Sequence, residues 1–191
     1  WMTEFREADA TTRPLVSIVM NFTKPVGGKP SLLTPSEVET FLHEFGHALH
    51  ALLTRASYSS LAGTNVFRDF VELPSQFNEN FLTCRGFLDG FARHYQTGEP
   101  IPESMVERLI ASARFGAAYA CIRQLSFGYL DMAWHTVTAP VDDPVELERR
   151  AVAEVSPFGQ MDGSLVSPQF GHIFSGGYAA GYYSYKWAEV L

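Results

Sequence analysis

Cysteine is scarce in this chain of 191 residues. Cys84 and Cys121 are too few and too far apart for a disulfide framework or a CxxC metal knuckle, and the scarcity fits a reducing, cytoplasmic compartment. No apolar run approaches the roughly 20 residues that a membrane-spanning helix needs, so no membrane partner is expected. Positive charge is also in short supply. Fourteen Lys and Arg stand against twenty-one Asp and Glu, a net charge of -7 that repels a phosphate backbone unless basic residues cluster on one face. They do not cluster, and nucleic acid is not an expected partner. The opening residues Trp1 to Arg6 have neither the basic nor the apolar region of a signal peptide. With Trp1 at one end and the helix-like Glu189-Val190-Leu191 at the other, the chain reads as cut from something longer, with N-terminal and C-terminal parts missing.

Hydrophobic residues at 46% and charged residues at 18% suit a packed protein, and the length suits one domain over residues 1–191. Leu15 to Phe22 is β-branched and apolar and runs into Pro25, Gly27, Gly28 and Pro30, which predicts a strand ending in a turn, the only strand expected. Thr34-Pro35-Ser36-Glu37 has the form of a capping box and opens a helix to about Thr54. Residues 55–68 read as a surface loop carrying Gly63-Thr64-Asn65. Helix then resumes between Asp69 and Pro74 and continues to Tyr95. From Pro102 to Val137 the pattern is helical in two pieces, with Leu109, Ile122, Leu125, Leu130 and Met132 as core contributors. A shorter helix from Pro144 to Val155 presents Glu146, Glu148, Arg149 and Arg150 as a solvated face. The fold class is mostly α.

His43-Glu44-Phe45-Gly46-His47 matches H-E-x-x-H in the middle of a predicted helix, where residues four apart share one face. Two imidazoles so placed can hold one Zn²⁺, and Glu44 between them can take a proton from water. The ordinary alternative is two half-buried histidines on an amphipathic helix. A third ligand must come from elsewhere. Position 50 is His and position 53 is Leu, which excludes the metzincin pattern. His50 lies two turns from His43, roughly 10 Å along the axis, too far to close a tetrahedral site. Spacing alone leaves three carboxylates open: Asp69, Glu72 and Glu79.

Tyr178, Tyr182 and Tyr185 fall at i, i+4 and i+7, one stripe of a helix, and such a stripe is ordinarily core. His43 to His47, Gly63-Thr64-Asn65-Val66 and Asp69 to Gln76 together resemble the thimet oligopeptidase, neurolysin and peptidyl-dipeptidase family of zinc peptidases. The resemblance runs from Met2 to Leu191. Met2 to Arg6 and Asn21 to Pro25 lean toward the bacterial peptidyl-dipeptidases. It implies a neurolysin-like zincin core with a short strand beside the active site, one Zn²⁺ per chain held by His43, His47 and Glu72, and Glu44 as the base. It implies His172, Tyr178 and Tyr185 as donors to the reacting carbonyl, and Gly176, Gly177 and Tyr182 as substrate-binding residues, although the spacing from His172 to the glycine pair is the longer of the family's forms. Glu79 becomes the support of a metal histidine. Short peptides are the expected substrates, cut to release C-terminal dipeptides. The alternatives are internal cleavage, or a zinc- and peptide-binding piece without catalysis.

Overall fold

A computed structural model describes residues 1–191. The chain divides into two compact units, Trp1–Phe67 with Val71–Phe115, and Arg68–Phe70 with Gly116–Leu191. No helix is long and apolar enough to cross a membrane.

The first unit begins with two antiparallel strands, β1 (Met2–Arg6) and β2 (Leu15–Ile18), paired from Met2↔Ile18 to Arg6↔Leu15 with an irregularity between Glu4 and Arg6. β1 was not expected, because Thr3, Glu4 and Arg6 give it no apolar alternation to read. β2 is shorter than the predicted strand, since residues 20–22 find no ladder partner. Helix α1 (Pro35–Leu53) opens on the predicted box. Thr34 Oγ1 accepts from the Glu37 amide at 3.3 Å, and Glu37 Oε2 accepts from the Thr34 amide at 2.7 Å. Glu37 Oε1 also accepts from the Thr23 amide at 2.6 Å and hydroxyl at 2.7 Å. The Thr34 bond first, and then those from Thr23, hold the Glu37 carboxyl down to about 2.

Helix α2 (Leu73–Glu79) packs on α1 through Gly46, which lies against the backbone of Pro74 and Ser75. Buried Asn78 fastens the pair by donating to the Leu42 carbonyl at 2.6 Å. The expected continuous helix to Tyr95 is instead broken. A 3₁₀ turn (Asn80–Thr83) and an extended Cys84 precede α3 (Arg85–Phe91), and residues 93 and 100 bridge across the predicted break. Neither Pro nor Gly marks the stop at Cys84, so no local signal announced it. Helix α4 (Glu103–Arg114) completes the unit.

The second unit is built on α5 (Ala117–His135), which starts at a left-handed Gly116. It continues through α6 (Pro144–Val152), α7 (Gly171–Phe174) and α8 (Ser184–Val190). Leu130, Phe170 and Ile173 form its core, with Phe127, Trp134, Val152 and Tyr182 packed around them. Of the expected core contributors Leu130 is buried, Leu109 and Ile122 are half-buried, and Leu125 and Met132 are exposed on the other side of α5. Glu148 is not on a solvated face. It is 1% exposed, and its carboxylate accepts from the Val166 and Ser167 amides at 2.8 and 2.9 Å, from the Ser167 hydroxyl and from Gln160. Those backbone donors lie about 18 residues downstream, beyond any periodicity argument.

Candidate metal centre

The centre belongs wholly to the first unit. His43 and His47 stand one turn apart on α1 with ring centroids 5.0 Å apart and planes nearly perpendicular. Glu72 immediately precedes α2 and is 1% exposed. Its Oε2 lies 3.2 Å from His43 Nε2 and 3.3 Å from His47 Nε2. One potential ligand atom from each of the three residues lies within 4.8 Å of the others. Ser75, fully buried one turn into α2, donates to Glu72 Oε2 at 3.1 Å and to its carbonyl at 2.8 Å, fixing the carboxylate toward the imidazoles.

Glu79 Oε1 is 2.6 Å from His43 Nδ1. With that ring proton directed at Glu79, Nε2 presents its lone pair to a carboxylate oxygen, acceptor against acceptor. Only a proton or a cation between them makes the arrangement favourable. Burial of the His43 ring pulls its pKa down, but hydrogen bonds to Glu72 and Glu79 and their charges outweigh it and push the pKa up to about 9. A divalent cation answers the same demand at both imidazoles at once. Two nitrogens and one buried carboxylate are the donor set of a zinc site that keeps a position open, and the residues therefore fit that metal.

Of the three carboxylates that spacing left open, only Glu72 reaches both imidazoles. Glu79 holds the back of His43, and Asp69, in the other unit, accepts from the Tyr183 hydroxyl at 3.2 Å. Glu44 lies half-buried between the two histidines on α1. His50 is half-buried further along α1, where burial, and secondarily the neighbouring His47, lowers its pKa. Ser75 and Asn78 escaped the sequence reading; their one signal was membership of the Leu73 to Glu79 stretch that carries the carboxylates.

The remaining predicted residues gather in the second unit, though not on one helix. Residues 175–183 lie outside any helix, and α8 begins only at Ser184. Gly176 closes α7 where a Cβ would come within 2.8 Å of the His172 Cα, and Gly177 has φ +83, so the pair folds the chain back until the Tyr178 amide donates to the His172 carbonyl at 3.0 Å. The rings cluster all the same. Tyr185 is 5.4 Å from Tyr178 and 5.0 Å from Tyr182, and the His172 ring is 6.0 Å from both Tyr178 and Tyr182. The Arg68 guanidinium lies over the Tyr178 ring at 4.9 Å.

Comparison with known proteins finds similar sequences in plants, bacteria and yeast. A probable cytosolic oligopeptidase A of Arabidopsis thaliana is 46% identical over 181 residues, 93% of this chain and 26% of the relative. A dipeptidyl carboxypeptidase of Escherichia coli strain K12 is 41% identical over 196 residues, all of this chain and 29% of the relative. Saccharolysin of Saccharomyces cerevisiae is 40% identical over 190 residues, 96% of this chain and 26% of the relative. The chain thus spans between a quarter and a third of the length of these relatives. The profile of peptidase family M3 matches residues 1–191, the entire length, and the chain belongs to that family.

Proposed function

We propose that this chain carries the catalytic centre of a zinc-dependent peptidase that acts on short peptides in the cytoplasm and releases C-terminal dipeptides. Residues 1–191 act in this reading as one catalytic segment with a zincin-type core, in which α1 and α2 present the ligands. His43, His47 and Glu72 would hold one zinc ion. When bound, zinc supplies Lewis-acid polarisation of the scissile carbonyl and of the attacking water.

The side chains do the rest. Glu44 takes the proton of the attacking water on its carboxylate and passes it to the amine nitrogen of the departing product. His172 and the Tyr178 and Tyr185 hydroxyls donate to the oxygen on which charge builds, and Tyr182, Gly176 and Gly177 shape the surface that receives the peptide. Ser75 and Glu79 keep Glu72 and His43 in position for the metal. The relative named dipeptidyl carboxypeptidase supports the dipeptide reading. An oligopeptidase A of the same organism, also 41% identical, favours the second reading, an oligopeptidase.

One observation carries the proposal: a buried carboxylate oxygen at 3.2 and 3.3 Å from two imidazole nitrogens of an H-E-x-x-H helix. Glu44→Gln in the full-length gene product tests it. Zinc content should stay at the wild-type level while turnover falls by about 10²–10⁴-fold. Wild-type turnover in that variant would remove Glu44 from the reaction. Mass spectrometry of products from one C-terminally blocked and one free-ended peptide decides the cleavage mode. Dipeptides from the free-ended peptide alone are expected, and equal internal cutting of both would replace release by endopeptidase action.

A further inference from the structure

The turn that carries Tyr178 and Tyr182 is held by a buried charge that the reaction does not use. Asp131, on α5, is 0% exposed. Its Oδ1 accepts from the Ala180 amide at 2.9 Å, and its Oδ2 accepts from the Tyr182 amide at 2.8 Å. His135, one turn further along α5, places Nδ1 2.8 Å from Oδ1. Both carboxylate oxygens are therefore committed to one short stretch of backbone some fifty residues away in sequence. Ala180 is the only residue other than glycine with a positive φ, at +52. An alanine adopts that left-handed conformation only where the surroundings impose it. The charge-assisted bond to the Ala180 amide is such an imposition, and the bond to Tyr182 fixes the residue two places on. Tyr178 and Tyr185 would stand about 10 Å apart along the axis if the chain ran on as a helix; their rings stack at 5.4 Å because the chain turns between them here.

We propose that Asp131 is a positioning residue: by clamping the amides of Ala180 and Tyr182 it sets the turn that places the Tyr178 and Tyr185 hydroxyls. The inference rests on the reading of those hydroxyls as donors in peptide hydrolysis, and its test separates the two. Asp131→Asn keeps the shape of the side chain, but its amide can accept on one side only and turns an N–H₂ toward the other donor.

The experiment uses the full-length gene product, with peptide turnover and backbone amide exchange measured on the same samples. In Asp131→Asn the amides of residues 180 and 182 should exchange at least about tenfold faster while those of the α5 interior keep their protection. The kcat should fall about tenfold or more with KM within about threefold, the pattern of an interaction made in the transition state. In a Tyr178→Phe, Tyr185→Phe background the same substitution should change kcat by less than about twofold, because a residue acting through the hydroxyls has nothing left to position. Unchanged exchange at 180 and 182 overturns the clamp. An equal fold-loss of kcat in both backgrounds overturns its action through the tyrosines. Wild-type turnover in the double Phe variant would instead sink the donor roles, and amide exchange would still decide the clamp. If Asp131→Asn does not fold, it is combined with Ala180→Gly, where glycine accepts the left-handed conformation without a clamp. Faster exchange at 182 with a lowered kcat relative to Ala180→Gly alone is then expected, and unchanged exchange at 182 overturns the clamp.

Discussion

Alanine at position 46 would place a methyl group where the histidine-bearing turns of α1 meet α2. A Cβ built on Gly46 lies 2.5 Å from both the Pro74 carbonyl oxygen and the Ser75 Cα, which are backbone atoms that no rotamer change can move. Ordinary contact begins near 3.4 Å, so α2 must retreat, or α1 bend, by about 0.9 Å. Glu72 stands two residues before Pro74 and is tied to Ser75 through its carbonyl and its carboxylate, so it retreats with them. Metal–ligand distances tolerate only about 0.2 Å, a fraction of that movement. Overpacking of this kind costs about 1–3 kcal/mol of folding stability. Displacing the ligand should weaken zinc binding by about 10–100-fold, the loss typical when a supporting contact of a metal ligand goes. Competition against a chromophoric chelator reads the affinity, and calorimetric melting of the metal-free protein reads the packing. Wild-type values of both would refute the close approach of α1 and α2. A lowered Tm with unchanged zinc affinity would refute the coupling of α2 to the ligand set.

Two further outcomes follow from the same geometry. Glu79→Ala leaves His43 Nδ1 without its 2.6 Å partner and should weaken zinc binding by about 10–100-fold with little change in Tm, read by the same chelator competition; an unchanged affinity would reduce Glu79 to an ordinary surface charge. Glu37 is ionised when folded down to about 2, below its ordinary 4.5, so the cap it forms supports the fold fully above pH 4.5 and loses that support as the pH falls from there toward 2. A carboxyl carbon NMR titration should give Glu37 a midpoint near 2 in the folded protein, and a midpoint near 4.5 would mean that the bonds to Thr34 and Thr23 do not form.

The start of α1 was legible because every signal for it is local: Thr34, Pro35 and Glu37 lie within four residues, and their bonds to one another suffice to set the helix. His43 and His47 were legible for the same reason, since a helix fixes the relation of residues four apart. Glu72 was different. Its convergence on the imidazoles depends on the packing of two helices through Gly46 and Asn78, and spacing could not choose it over Asp69 or Glu79; the family resemblance did. The break at Cys84 and the burial of Glu148 depend on contacts that no window of sequence contains. The tyrosine stripe had the right period for a helix and the wrong backbone, because Gly177 and a clamped Ala180 turn the chain where the period predicts continuation.

X-ray absorption at the zinc edge, joined to metal stoichiometry on the full-length gene product and its His47→Ala variant, tests the central claim most directly. One zinc per chain is predicted, with two imidazole nitrogens and a carboxylate oxygen in its coordination sphere at about 2.0–2.2 Å, and with the metal lost from the variant. A protein that takes up no stoichiometric metal, or that keeps its zinc and the same coordination when His47 is gone, would contradict the account.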